Sequence, residues 1–307
     1  MKILITGASG LLGSAISKSA ASILHQILTP RHIDLNLNDE SATYNYIKNH
    51  MPDTIIHCAA KVGGISANIE NQNEFLTKNI QLDSSLLNAA KQLEIRNLIY
   101  VGSSCMYPRN ISHAMRESEL LTGTLEPTNE GYALAKIVGW KTVEYNSSSL
   151  NWRTMILSNL YGPNDHFNPS RSHLLAAIIE KMHSAKTNNV EYVDMWGDGS
   201  VRREFTYVQD VAEFLTNSVE KLKDFPATMN LGAGIDFSVA DYYGMVAAAM
   251  KYEGQIRVDL SKPTGMSRKL MDSSIAVKFG WAPKTNIELG IAKTISWYEK
   301  NLRTTTV

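Results

Sequence analysis

The amino-acid sequence predicts an α/β fold: a doubly wound parallel sheet of Rossmann type followed by a smaller C-terminal α/β lobe. Three observations carry this. Short apolar runs rich in Ile, Leu and Val alternate with longer stretches of helical period, which argues for a parallel sheet covered on both faces. A glycine-rich turn follows the first of those runs directly. The alternation then loosens after about residue 160.

Taken in order, "KILIT" (2–6), "DTIIHCA" (53–59), "RNLIYVG" (96–102) and "WRTMILS" (152–158) are too short for helices and read as strands. Between them, helices are expected near 11–23, 39–50, 72–93 and 131–149, with a second strand ending about Arg31. Beyond 160, "EYVDMW" and "ATMNLG" read as isolated strands. Helices near 171–186, 209–222, 238–251 and 286–301 lie among Gly- and Pro-marked loops. The expected division is a sheet domain over 1–160, with some later segments returning to it, and a lobe over 161–307.

Composition narrows the function classes. Of 307 residues, 44% are apolar and 20% charged, an ordinary globular balance. Lys+Arg and Asp+Glu stand at 30 each, so no basic footprint points to nucleic acid. The two cysteines, Cys58 and Cys105, have neither metal-ligand nor redox spacing. No metal site and no disulfide framework are expected, and a reducing cytosol is the natural setting. The opening run breaks at Thr6-Gly7, shorter than a secretory apolar region, and no stretch approaches bilayer length. The expectation is a cytoplasmic protein whose partners are small molecules and copies of itself.

In "TGASGLLG", Gly7, Gly10 and Gly13 sit where a first strand turns into a helix. Glycines there let backbone N–H groups approach a pyrophosphate at the helix N-terminus, with Ser9, Leu11 and Leu12 completing the loop. The spacing G-x-x-G-x-x-G is typical of short-chain dehydrogenase relatives; a tight turn without a ligand is the plain alternative. An acidic residue about 20 positions further on would mark NAD. "LTPRHIDL" instead presents Arg31, whose guanidinium suits the 2′-phosphate of NADP. Asp34 competes for that role, and an exposed loop arginine is the other reading of Arg31.

Tyr132 and Lys136 in "YALAK" are one helical turn apart and share a face. An ammonium favours phenolate, so the pair is expected to lower the tyrosine pKa from about 10 and make it a proton donor near neutrality. Ser103, in "GSS" after the fourth strand, lies at the sheet edge where ligands bind in such folds. Together with the glycine loop the trio supports hydride transfer between carbinol and ketone. A surface tyrosine–lysine pair is the bland alternative.

At this point the chain resembles the extended short-chain dehydrogenases/reductases, and within them the GDP-L-fucose synthase family. The resemblance rests on "AAKVGGISAN" (59–68), "GSSCMYP" (102–108), "ESELLTGTLEPTNEGYALAK" (117–136), "NLYGPNDHFNPSRSHL" (159–174), "WGDGSVRREFTYVQD" (196–210) and "KPTGMSRKLMD" (262–272). It implies epimerisation of GDP-4-keto-6-deoxy-D-mannose at carbons 3 and 5, then reduction at carbon 4 by NADPH. A 4-keto group acidifies both neighbouring C–H bonds, so one group must remove a proton and another supply one to the opposite face. Cys105 and His173 match the positions the family uses for this. A packed small hydrophobe is the alternative for any cysteine, and the better reading of Cys58. A structural or cofactor-contacting histidine is the alternative for His173.

The resemblance also implies that Lys136 and His173 contact the cofactor, and that Asn159, Leu160 and Tyr161 form its nicotinamide-side loop. Lys181, Trp196 and Arg203 would contact the GDP moiety, with Arg268 or Lys269 closing over it; singly, each could be an ordinary solvated side chain. A homodimer through the helices near 72–93 and 131–149 is implied in the same way. Two departures stand out. Many members have His-Arg where this chain has Ala8-Ser9, which leaves Arg31 more of the phosphate-binding task, and Ala176 replaces a frequent proline. Rival readings keep the chemistry and change the sugar (a GDP-colitose synthase or a heptose reductase). More distant ones are an NAD-retaining 4-epimerase, which would not need Cys105 and His173, and a non-catalytic dinucleotide sensor.

Overall fold

The computed structural model describes residues 1–168, 172–263 and 265–305. Its first half runs β1 (Lys2–Thr6), α1 (Leu11–Ser17), β2 (Gln26–Leu28), α2 (Glu40–His50), β3 (Thr54–His57), α3 (Ile65–Glu70), α4 (Gln72–Gln92), β4 (Asn97–Ser103), α5 (Glu130–Asn146), β5 (Asn151–Leu157) and β6 (Asn159–Tyr161). Then follow α6 (Leu174–Thr187), β7 (Tyr192–Trp196), β8 (Arg202–Tyr207), α7 (Val208–Ser218), β9 (Thr228–Leu231), β10 (Asp236–Ser238), α8 (Val239–Met250), β11 (Gln255–Asp259), β12 (Arg268–Lys269), α9 (Ser274–Lys278) and α10 (Ile287–Thr305).

The main sheet has the order β2-β1-β3-β4-β5-β9, and every neighbouring pair is parallel. Its inner strands carry Ile and Leu on both faces because helices cover both. From β1 the chain steps outward to β2, then returns past β1 to β3. That reversal opens a crevice at the carboxyl ends of β1 and β3, the usual ligand position in doubly wound sheets.

Two expectations change here. "ATMNLG" is not an isolated strand: β9 pairs with β5 and closes the main sheet. Val211, Ala212 and Leu215 of α7 share a core with Ile3, Ile5 and Ile16, so the segment from α7 to β9 packs with the N-terminal strands. The first helix stops at Ser17. A 3-10 turn, Ala20–Leu24, replaces its expected continuation, and there the Ser22 hydroxyl bonds back to the Ile16 carbonyl.

The lobe is built on β8, which pairs with β6, β10 and β12, while β7 and β11 form a separate parallel pair. Its core gathers Tyr161, Ile178, Phe205, Tyr242 and Ile291. Strands β6, β8, β10, β11 and β12 are short and half polar, which hides them from a pattern reading. Among the described residues no helix is long and apolar enough to cross a membrane.

Candidate active site

A cavity of about 680 Å³ lies between the carboxyl edge of the main sheet and the lobe. Its floor is the glycine loop. Gly7 has φ +68°, and a Cβ there would sit 2.8 Å from the Ala59 backbone; a Cβ at Gly13 would collide with the Gly7 carbonyl. Only glycines let the β1–α1 turn pack this closely. No side chain caps α1 at Gly10, so its first backbone N–H groups stay available to a phosphate. Ser9, Gly10, Leu11 and Leu12 line the cavity with them. The cradle fits a dinucleotide pyrophosphate.

Ser103 ends β4, and the 3-10 turn Ser104–Met106 brings Cys105 beside it: the Cys105 N–H donates to Ser103 Oγ at 3.3 Å. Two donors bracket the Cys105 sulfur. Asn129 Nδ2 lies 3.0 Å from Sγ and Lys269 Nζ 3.6 Å. The other end of the Asn129 amide, Oδ1, is buried with no hydrogen-bond partner among the described residues. Lys269 is itself buried, on β12, which pairs with β8.

Tyr132 and Lys136 enter from α5. Glu126 accepts the Thr128 N–H at the turn that starts this helix, and Gly131 lets it press against the Gln72 backbone of α4. Tyr132 lines the cavity. Lys136 also lines it, and its ammonium is held 3.7 Å from Asp83 Oδ2 and 4.6 Å from the centre of the Tyr100 ring. Here the structure departs from expectation. Burial, with the nearby Cys105 and Asp83, pushes the Tyr132 hydroxyl up, not down, so at neutral pH it keeps its proton.

His173, the residue before α6, lines the same cavity. Burial, reinforced by His166 and Lys269, lowers its pKa and favours neutral imidazole in the free protein. Asp165 also lines the cavity, and burial pushes it up to about 7. Deeper in the lobe, Lys181 and Lys262 stand 5.4 and 5.7 Å from the centre of the Trp196 ring, and Arg203 lines the same wall. Cations flanking an aromatic face suit a nucleotide base and its phosphates.

Asn159 and Leu160 line the cavity as expected. Three other residues lie elsewhere. The Tyr161 side chain is buried in the lobe core against Phe205 and Tyr207, because β6 alternates its side chains and sends this one inward. Arg31 is 80% exposed outside the cavity and is paired with Asp34 at 3.0 Å, so the two rivals for the ribose neutralise each other. Arg268 is taken up by Asp236, which leaves Lys269 as the residue of that pair facing the cavity. Cys58 packs at the edge of the sheet core, and burial pushes its thiol up to about 12. Sequence reasoning missed Asn129, Asp165 and the Asp83 carboxylate. Asn129 lies inside a quoted motif, but only folding brings it to the sulfur.

A Rossmann sheet whose glycine cradle opens beside a serine, a tyrosine and a lysine defines a dinucleotide-dependent enzyme of the extended short-chain dehydrogenase/reductase type. Residues 3–232 match the family described as NAD dependent epimerase/dehydratase, and the chain belongs to that family. It is 42% identical to a GDP-L-colitose synthase of Yersinia pseudotuberculosis, over 98% of this chain and 99% of the relative. It is equally 42% identical to a GDP-L-fucose synthase of Azorhizobium caulinodans, over 97% and 96%. Among solved structures, a GDP-mannoheptose C4 reductase of Campylobacter jejuni with NADP bound superposes with a TM-score of 0.87 at 27% identity, covering 97% of this chain and 98% of that one.

Proposed function

We propose that this protein converts GDP-4-keto-6-deoxy-D-mannose to GDP-L-fucose by epimerising carbons 3 and 5 and then reducing carbon 4 with NADPH. The observation that carries this reading is the Cys105 sulfur, held between Asn129 and Lys269 beside Ser103. A plain ketoreductase needs a serine and a tyrosine at that place, and it has no use for a thiol set next to an ammonium. Relatives named GDP-L-fucose synthase and a structural neighbour solved with NADP support the substrate and cofactor.

Cys105 as thiolate removes the proton from the carbon beside the ketone, and the electron pair passes to the carbonyl oxygen as an enolate. Lys269 balances the charge on sulfur before transfer, while Ser103 donates to the oxygen that becomes negative. His173 then protonates the opposite face of the same carbon. It is neutral in the free protein, and the two phosphates of an arriving GDP-sugar favour the imidazolium it needs. The partnerless Asn129 Oδ1 is available to a sugar hydroxyl.

Bound NADPH supplies the hydride for carbon 4. The glycine loop, Lys136, Asn159 and Leu160 would hold it, and Tyr132, kept protonated by its surroundings, gives its proton to the resulting alkoxide. Lys181, Trp196 and Arg203 would take the GDP moiety. Arg31 is the candidate for the 2′-phosphate, which requires it to leave Asp34.

A second reading is favoured by the equal 42% identity to the GDP-L-colitose synthase: the same machinery acting on a 3-deoxy sugar, with one inversion in place of two. Comparing kcat/KM for the 3-hydroxy, 3-deoxy and heptose GDP-4-keto sugars, followed by NADPH consumption, separates the readings. Preference for the 3-hydroxy sugar supports the first, and a preference of tenfold or so for the 3-deoxy sugar overturns it. We place the enzyme in the cytoplasm as a homodimer. Leu134, Val138 and Tyr145 of α5, at 39%, 44% and 77% exposure, recur on one helical face that a second copy would cover. Light scattering in solution tests that state.

A further inference from the structure

Behind the cavity, four polar side chains join into one buried chain that the reaction above does not use. The Ala59 N–H donates to Thr6 Oγ1 at 3.3 Å, Thr6 Oγ1 meets His57 Nδ1 at 2.7 Å, and His57 Nε2 meets Asp83 Oδ1 at 2.9 Å. The Tyr100 hydroxyl donates to Asp83 Oδ2, with the Lys136 ammonium 3.7 Å from the same oxygen. All five residues, Lys136 included, are at most 2% exposed.

The direction of every bond follows from chemistry. Burial raises the Asp83 carboxyl, but Lys136 and the His57 and Tyr100 hydrogen bonds outweigh it, so Asp83 is ionised and can only accept. His57, which burial keeps neutral, therefore carries its proton on Nε2, and its Nδ1 accepts from Thr6. The chain thus runs one way, from the backbone beside the glycine loop to the carboxylate that faces the lysine.

We propose that Asp83 is the positioning residue for Lys136: it fixes the ammonium as counter-ion and ties it, through His57 and Thr6, to the loop that receives the dinucleotide. Such a carboxylate is costly to bury, and the groups around it are arranged to satisfy both of its oxygens. Lys136 and Ala59 line the cavity, while Thr6, His57, Asp83 and Tyr100 lie behind them. Asp83 touches neither substrate nor cofactor and acts through Lys136 alone. This rests on Lys136 serving the cofactor, as in the function proposed above.

The test is a double-mutant cycle on the full chain, using Asp83→Asn, Lys136→Met and both together, with thermal unfolding as the check on folding. NADPH affinity is read by nicotinamide fluorescence. Reduction is read as NADPH turnover, and epimerisation as deuterium uptake by the keto-sugar in D₂O without reductant. Asp83→Asn is expected to weaken NADPH binding and slow reduction by about tenfold or more, the scale of a lost charge-assisted contact, with deuterium uptake within about twofold of wild type. In the Lys136→Met background it is expected to cost nothing further.

Losses that multiply in the double variant, or a parallel fall in deuterium uptake, overturn the proposal. If Asp83→Asn does not fold, Tyr100→Phe carries the test, because it keeps the ring beneath the ammonium and removes one donor to the carboxylate. Weaker NADPH binding with unchanged uptake supports the proposal, and no change in either overturns it. A wild-type protein that acts on no GDP-4-keto sugar defeats the functional reading, while the NADPH-binding cycle still decides the place of Asp83.

Discussion

Lys269 Nζ lies 3.6 Å from Cys105 Sγ, although 164 residues separate the two in the chain. The contact exists because β12 pairs with β8 at the foot of the lobe, bringing a buried ammonium to the edge of the main sheet. Lys269→Met should therefore slow deuterium exchange at the epimerised carbons by about 10- to 100-fold, the scale of a lost charge-assisted contact. NADPH affinity should stay near that of wild type. An equal loss in both would reassign Lys269 to general binding.

Cys105→Ser keeps the size of the side chain and removes the thiolate. Exchange and epimerisation should fall by about 10² or more, while a substrate already in the L-configuration is still reduced. Chiral analysis of the product reads this directly. Formation of the L-configured sugar at the wild-type rate would end the assignment.

Tyr132→Phe should show the opposite pattern, with reduction falling by about 10² to 10⁴ and deuterium exchange persisting. The hydroxyl stays protonated because of its burial and because negative charge on Cys105 and Asp83 disfavours phenolate. The donor is thus ready when the alkoxide forms, and no tyrosine titration should appear near neutral pH in an ultraviolet difference titration.

The pH dependence of epimerisation should differ between kcat/KM and kcat. His173 must be protonated to act, and in the free protein burial, His166 and Lys269 lower its pKa. The limb of kcat/KM that His173→Asn removes, which reports the free enzyme, should therefore lie below the ordinary histidine value of about 6.5. With the substrate's diphosphate bound the imidazolium is favoured, so the limb of kcat should move to higher pH. Coincident limbs would remove His173 from the acid role.

A packing prediction concerns Gly139, where a Cβ would strike the Tyr100 hydroxyl. Gly139→Ala should destabilise the protein by about 1–3 kcal/mol, the range for overpacking a close contact. Tyr100→Phe should cost less in that background than in the wild type, since it removes the nearest atom of the clash, although the ring carbon Cζ still crowds the added Cβ. Urea unfolding of the four variants measures both.

Much of this was legible along the chain. The Ile- and Leu-rich strands, the glycine loop and the "YALAK" helix show themselves because they obey short periods and local turn chemistry. What sequence reading lost depends on three-dimensional neighbours. The expected lowering of the Tyr132 pKa rests on Lys136 one turn away, whereas burial, Cys105 and the Asp83 carboxylate, 49 positions earlier in the numbering, push it up. Tyr161 sits in a motif that borders the cavity, yet strand alternation buries its ring. Arg31 and Arg268 are candidates for phosphate and nucleotide in the sequence, and folding gives each an aspartate partner that the sequence does not show. A half-polar strand such as β12 carries no pattern of its own; β8 makes it a strand by pairing with it.

The most direct measurement is proton NMR of the product formed from GDP-4-keto-6-deoxy-D-mannose and NADPH in D₂O. GDP-L-fucose carrying deuterium at carbons 3 and 5 is the predicted result, since it requires Cys105 and His173 to exchange protons before Tyr132 completes the reduction. A reduced sugar with hydrogen retained at both carbons would contradict the account and leave a simple ketoreductase.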